Sequence, residues 1–130
     1  MNEISNLSKS KVLGIDPSRN ITKIARKKKI NVIIDYFNSK SSKKIENKFS
    51  KADVIYGANV FNHVDDINDF LTAARRLIKT NGQLILEVPD LNSLIKKVGF
   101  DTIYHEHRHY FSENSIFKLL KNHGFNVYKI

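Results

Sequence analysis

The segment Tyr104-His105-Glu106-His107-Arg108-His109-Tyr110 gathers three imidazoles, a carboxylate, a guanidinium and two phenols in consecutive positions. Imidazole titrates nearest neutral pH, so it is the side chain best suited to taking and returning a proton, and a neighbouring Glu or Tyr can orient or tune it. If the segment is extended, alternation places His105, His107 and His109 on one side and Glu106 and Arg108 on the other. Metal binding is a second chemistry for such a cluster, but the helical His-Glu-x-x-His spacing is absent and nothing specifies a coordination geometry. The bland alternative is an exposed polar loop. His63 reaches the same edge of the fold, although a lone histidine there more often caps a helix or packs.

Two carboxylates end apolar runs. Asp16 follows Lys11-Val12-Leu13-Gly14-Ile15, and Asp35 follows Asn31-Val32-Ile33-Ile34. A carboxylate at a strand terminus can accept two hydrogen bonds from vicinal ribose hydroxyls, or it can serve the dipole of the helix that follows. For Asp16 the two readings balance. Asp35, with Tyr36 and Phe37 behind it, can accept from an exocyclic amine beside an aromatic that packs on a base. A solvated strand end with two core aromatics is the favoured reading there.

These residues need strands to position them. Besides the two runs above, Ala52-Asp53-Val54-Ile55-Tyr56 stops at Gly57 and Gln83-Leu84-Ile85-Leu86-Glu87-Val88 stops at Pro89, while Phe125 to Ile130 is a fifth candidate. Their nearly continuous β-branched character suits a parallel sheet buried on both faces. Helical signals lie between them. Ser18 can cap a helix carrying Ile21, Ile24 and Ala25, and Asp65 or Asp66 one in which Ile67, Phe70, Leu71, Ala74, Leu77 and Ile78 recur at helical spacing. Asn81-Gly82 is expected to end that helix through a left-handed glycine. Ser112 opens another, with Gly124 as its stop, and Lys40 to Phe49 reads as a weaker one. Alternating strands and helices predict a doubly wound α/β sheet, whose ligands bind beyond the carboxyl ends of the strands. Asp16, Asp35, Asn59 and the stretch after Pro89 belong to that edge.

One part of a nucleoside pocket is not found. A ribose-binding acidic residue normally lies about 20 residues after a glycine-rich strand-to-helix turn, yet Gly14 is the sole glycine before Asp16. The net charge of +9, from 22 basic against 13 acidic residues, suggests a polyanionic partner. Seventeen of the cations are lysines in a chain crowded with Ile and Asn, so default surface lysine accounts for much of it. Nucleic-acid binding is therefore disfavoured, and a phosphorylated small substrate matches the charge at least as well. Absence of cysteine excludes disulfides and thiolate zinc sites and makes the cytoplasm the default compartment. No apolar run nears the ~18 residues of a membrane helix, so no membrane partner is expected.

Taken together, Val12-Leu13-Gly14-Ile15-Asp16-Pro17-Ser18, Asp53-Val54-Ile55, Asn59-Val60-Phe61-Asn62-His63-Val64-Asp65-Asp66, Phe100-Asp101-Thr102-Ile103-Tyr104-His105-Glu106-His107 and Tyr110-Phe111-Ser112 resemble the S-adenosylmethionine-dependent C-methyltransferases that act on nucleotide-linked deoxy-keto-sugars. The likeness runs from about Lys11 onward, and the Tyr-His-Glu-His string is its most specific part. The resemblance implies a Rossmann-like class I methyltransferase sheet with helices on both faces. In its strand order, three-two-one-four-five-seven-six, the runs ending at Asp35 and Asp16 are strands three and two, those ending at Gly57 and Val88 are four and five, and the last is six. Strand one with its glycine-rich loop, and strand seven, have no counterpart. Residues 1–130 are thus expected to be a partial class I domain, from the helix before strand two to strand six. Such a fragment is expected to be inactive alone, without the family's cysteine-bearing N-terminal domain, a tyrosine proposed as base, and a C-terminal domain.

By the same resemblance, Asp16 with Pro17 holds the ribose of S-adenosylmethionine, Asp35 with Tyr36 meets its adenine, and Asn59 runs past the methyl donor. His63, Tyr104, Glu106 and His107 surround the sugar, where a base forms an enolate that attacks the sulfonium methyl. Tyr104 and His107 take the proton-transfer or oxyanion roles, and Glu106 and His63 orient or tune them. Alternatives are a class I methyltransferase with another small-molecule acceptor and a non-catalytic module that binds nucleic acid or a protein through the basic surface. A nicotinamide enzyme is weaker, because nothing supplies the dinucleotide glycine turn.

Overall fold

A computed structural model describes residues 10–129 of the chain. Strand β1 (Leu13–Ile15) runs parallel to β2 (Asn31–Ile33), with Gly14 opposite Val32. Strand β3 (Ala52–Ala58) runs parallel to β4 (Ile78–Glu87), with Ile55 opposite Leu84 and Gly57 opposite Leu86. Among the described residues no strand joins β1 to β3. The sheet is therefore present as two parallel pairs. This agrees with the expected order, in which strands two and four are not neighbours.

Among the described residues five helices carry the connections, each entered through a side chain that accepts otherwise orphaned backbone N–H groups. They are α1 (Arg19–Lys27, capped by Ser18), α2 (Ser39–Glu46, Asn38), α3 (Ile67–Leu77, Asp66), α4 (Leu91–Lys96, Asp90) and α5 (Glu113–Asn122, Ser112). At the end of α5, Gly124 sits at φ +75°, with its own N–H on the Lys121 carbonyl and the Phe125 N–H on that of Leu120. These are the paired bonds of a glycine-terminated helix.

The core lies between α3, α5 and the inner face of β4. Phe61, Phe70, Leu71, Phe111 and Ile116 are buried together, with Leu84, Leu86 and Val88 packed against them. Phe61 stacks on Phe111 with ring centroids 5.2 Å apart. Each such side chain contributes roughly 1.5–3 kcal/mol by leaving water. Phe37, Ser39 and Glu46 tie the β1–β2 half to this core. Phe37 meets Phe70 edge-on at 4.8 Å, the Ser39 N–H and hydroxyl donate to Asp69, and Arg76 pairs with Glu46 at 3.0 Å.

Four expectations need correction. Helix α3 stops at Leu77 instead of running to Asn81-Gly82, because Ile78 already turns to extended geometry and enters β4. Gly82 is not left-handed. A Cβ there would stand 2.6 Å from Ile78 Cγ1 and 3.0 Å from the Ala52 and Asp53 carbonyls, so close approach at the register shift of β3 and β4 explains the glycine. Residues 125–129 form no strand, since the Phe125 N–H is used to close α5 and no neighbouring strand is offered; Ile130 lies outside the described residues. Finally, Tyr104 to His107 is a turn, closed by the His107 N–H on the Tyr104 carbonyl, so the alternation expected of an extended segment does not hold. Helix α4 has no counterpart among the expected elements, although Asp90 ahead of Leu91-Asn92-Ser93 is a capping signal.

Candidate active site

The polar loop is fastened to the end of β3 by main-chain groups. After β3 the chain passes Asn59, left-handed at φ 51°, and makes a single 3-10 turn, Phe61–His63. Phe61 anchors that turn in the core. The carbonyl of buried Asn62 then accepts from both Arg108 N–H (2.9 Å) and His109 N–H (3.2 Å). His109 Nε2 donates to the Val64 carbonyl at 2.9 Å, and Arg108 pairs with Asp65 at 2.9 Å. These bonds bring the two histidine-bearing segments, 43 residues apart, into one cluster.

Within it, backbone carbonyls select the tautomers. A carbonyl can only accept, so His107 Nδ1, 2.8 Å from the Thr102 carbonyl, carries the hydrogen. Its Nε2 is then the acceptor for the Tyr104 hydroxyl, 3.0 Å away. His63 follows the same logic, with Nδ1 donating to the Glu106 carbonyl at 2.9 Å. Its Nε2 has no partner among the described residues. The two imidazoles meet edge to face with centroids 4.7 Å apart. The arrangement can do proton chemistry: a phenol whose proton has a ready acceptor, beside a second imidazole with an open ring nitrogen.

Of the residues singled out from sequence, His63, Tyr104 and His107 are brought together by side chains. Glu106 joins only through its carbonyl; its carboxylate is exposed and makes no hydrogen bond among the described residues. His105 is exposed and stands apart. Sequence reasoning does not single out Thr102, whose contribution is a carbonyl and leaves no side-chain signal. It also gives no role to Asn62, which is 2% exposed with both amide atoms unbonded.

The other named residues lie at the carboxyl ends of β1, β2 and β3. Asp16 accepts from the Ser18 N–H at 2.7 Å through Oδ1, so it does serve the start of α1, and its Oδ2 makes no hydrogen bond among the described residues. Pro17 is exposed. Asp35 is more fully engaged, accepting from Tyr36 N–H at 2.9 Å and pairing with Lys44 at 3.2 Å. Tyr36 presents its ring to solvent, 68% exposed. The Asn59 N–H donates to the Glu87 carbonyl at 2.9 Å, joining β3 to β4 beside the polar loop. Among the described residues no three His, Asp or Glu side chains converge for a metal ion, and no helix is long and apolar enough to cross a membrane.

Comparison with known proteins bears on the family and the fold. The C-methyltransferase NovU of Streptomyces niveus is 35% identical over 117 residues, which cover 90% of this chain and 28% of that protein. The chain thus spans just over a quarter of the curated relative it matches. A solved SAM-dependent methyltransferase of Thermotoga maritima, described as a possible histamine N-methyltransferase, superposes with a TM-score of 0.66 at 23% identity. That match covers 88% of this chain and 55% of the other, and it shows the fold. A methyltransferase domain family matches residues 3–130, and to that family, with S-adenosylmethionine as its cofactor, the chain belongs.

Proposed function

We propose that residues 1–130 are the acceptor-facing part of a class I C-methyltransferase domain acting on a keto-sugar carried by a nucleotide. The observation that carries this reading is the Tyr104–His107–Thr102 chain of hydrogen bonds beside His63. A carbon acceptor beside a ketone has no lone pair to attack with until it loses a proton, so it depends on such a proton acceptor, whereas a neutral amine attacks with the lone pair it already carries. The 35% identity to a C-methyltransferase supports the same choice.

S-adenosylmethionine, when bound, supplies an electrophilic methyl group. The residues present fit it in part. Asp16 retains Oδ2 for ribose hydroxyls, Pro17 and Asn59 border the same edge, and Tyr36 offers an exposed ring for the base. Asp35 fits less well, because an adenine amine competes there with Lys44.

The chain's own residues account for the enolate. A ketone acidifies the adjacent C–H. The Tyr104 oxygen takes that proton as its own passes to His107 Nε2, leaving an imidazolium held by the Thr102 carbonyl. His63 Nε2, when protonated, donates to the enolate oxygen as charge develops. Glu106 orients His63 through its carbonyl.

Deuterium exchange tests this without a methyl donor. In D2O an enzyme that carries this chain within a complete methyltransferase should wash deuterium into the carbon beside the ketone of a nucleotide-linked keto-sugar, and Tyr104→Phe should stop it. Methylation of that compound, but not of its alcohol analogue, should follow with donor present. Neither exchange nor methylation with any keto-sugar would overturn the reading.

A further inference from the structure

From Pro17 to Ile34 the chain contains six cations, Arg19, Lys23, Arg26, Lys27, Lys28 and Lys29, and no carboxylate. Arg19, Lys23, Arg26 and Lys27 follow helical spacing and form one side of α1. With Thr22 and Ile34 they line a groove of about 520 Å³, within the size range of small-ligand sites. Lys44, Lys51 and Lys79 pair with Asp35, Glu46 and Asp53. Among the described residues none of the α1 cations makes an ion pair. The two carboxylates that flank this stretch, Asp16 and Asp35, are engaged with the Ser18 N–H and with Lys44, and neither pairs with a cation of α1.

The lining is also oriented. Arg26 donates to the Val32 carbonyl at 3.2 Å, which holds its guanidinium against β2. Thr22 is fully buried with its hydroxyl donating to the Arg19 carbonyl, so it contributes wall. Ile34 and the methylene stems of the basic side chains give the groove an apolar flank beneath charged heads. Adjacent cations with no internal counter-ion suit a ligand with two or more neighbouring phosphates, and the apolar flank suits a flat ring attached to them.

We infer that the α1 groove is a binding site for a polyphosphate-bearing ligand of nucleotide size. It shares no residue with the Tyr104–Tyr110 loop or with Asp16, and it does not depend on the acceptor proposed above. Small nucleotides and nucleic-acid backbone share the phosphate chemistry; the groove's size favours the small ligand.

Titration calorimetry of the full chain with inorganic pyrophosphate and with ADP tests the inference, repeated with S-adenosylhomocysteine at saturation. Saturable binding of both probes is expected, undisturbed by S-adenosylhomocysteine. The exposed double variant Lys23→Glu/Lys27→Glu should weaken both by about tenfold or more, a difference of ~1.4 kcal/mol. Lys97→Glu/Lys118→Glu, with the same change of net charge elsewhere on the surface, should leave both within about twofold, under ~0.5 kcal/mol. Equal loss in the two double variants would reduce the effect to net charge and overturn the site. So would displacement by S-adenosylhomocysteine, or absence of saturable binding. Tight, steeply salt-dependent binding of a duplex oligonucleotide without binding of pyrophosphate or ADP would make the surface a nucleic-acid face and equally overturn it.

Discussion

Tyr104 and His107 are joined by a 3.0 Å hydrogen bond whose direction is set from the far side of the imidazole, where the Thr102 carbonyl holds Nδ1 at 2.8 Å. The phenol must donate, so any proton that Tyr104 takes up is relayed to a nitrogen already placed to hold it. Tyr104→Phe keeps the ring contact, 4.2 Å between centroids, and removes only the relay. In an intact enzyme that carries this chain it should lower turnover by about 10²- to 10⁴-fold while S-adenosylhomocysteine affinity changes little. Equal effects on both would make Tyr104 a packing residue.

Asp16 has one oxygen on the Ser18 N–H and one without a partner among the described residues. Asp16→Asn should retain much of the first role and lose the charge-assisted acceptor of the second. Donor affinity, read by titration with S-adenosylhomocysteine, should fall by tenfold or more, on the order of 1.5–3 kcal/mol for a hydrogen bond to a charged group. A melting temperature that falls with unchanged affinity would leave Asp16 with the helix alone.

Asn62 is buried with neither amide atom bonded. An unsatisfied buried polar group costs about 1–3 kcal/mol, and leucine has similar bulk without it. Asn62→Leu should therefore raise stability by about 1 kcal/mol, seen as a higher midpoint in chemical denaturation. A lower midpoint would mean that the amide is satisfied in solution.

The glycines separate by mechanism. Gly82→Ala drives a methyl into Ile78 and two carbonyls and should cost about 1–3 kcal/mol. Gly124→Ala meets strain at φ +75° rather than crowding and should cost roughly 1 kcal/mol. At Gly57 an added methyl would meet Leu86 Cδ2 first, at an ordinary contact distance of 3.5 Å, so Gly57→Ala should be the mildest of the three. Denaturation midpoints in the order Gly57, Gly124, Gly82 variants, highest to lowest, are expected.

Asp90 links the start of α4 to pH. The Ser93 hydroxyl and backbone N–H hold its carboxyl below the ordinary value of 3.8. A lowered folded-state pKa adds stability above the unfolded value, which is lost as pH falls through the folded one. The protection of the Asn92 and Ser93 amides, taken relative to their intrinsic exchange rates, should therefore fall below about pH 4, and Asp90→Asn should flatten that dependence.

Much of this protein is legible locally. Ser18, Asp66, Ser112 and Gly124 mark helix ends because capping and left-handed glycine are settled within a few residues, and the β-branched runs show four parallel strands. The chemistry of Tyr104, His107 and His63 is likewise visible as residue types. Tertiary structure decided the rest. Helical periodicity continues through Ile78, but pairing with Ala52 draws that residue into β4 and leaves Gly82 where only a hydrogen fits. The turn at Tyr104–His107 and the carbonyls of Thr102, Glu106 and Val64 fix which ring nitrogens carry protons, and carbonyls are the same in every residue. Sequence therefore names the groups that can move a proton, while the fold alone determines in which direction it is passed.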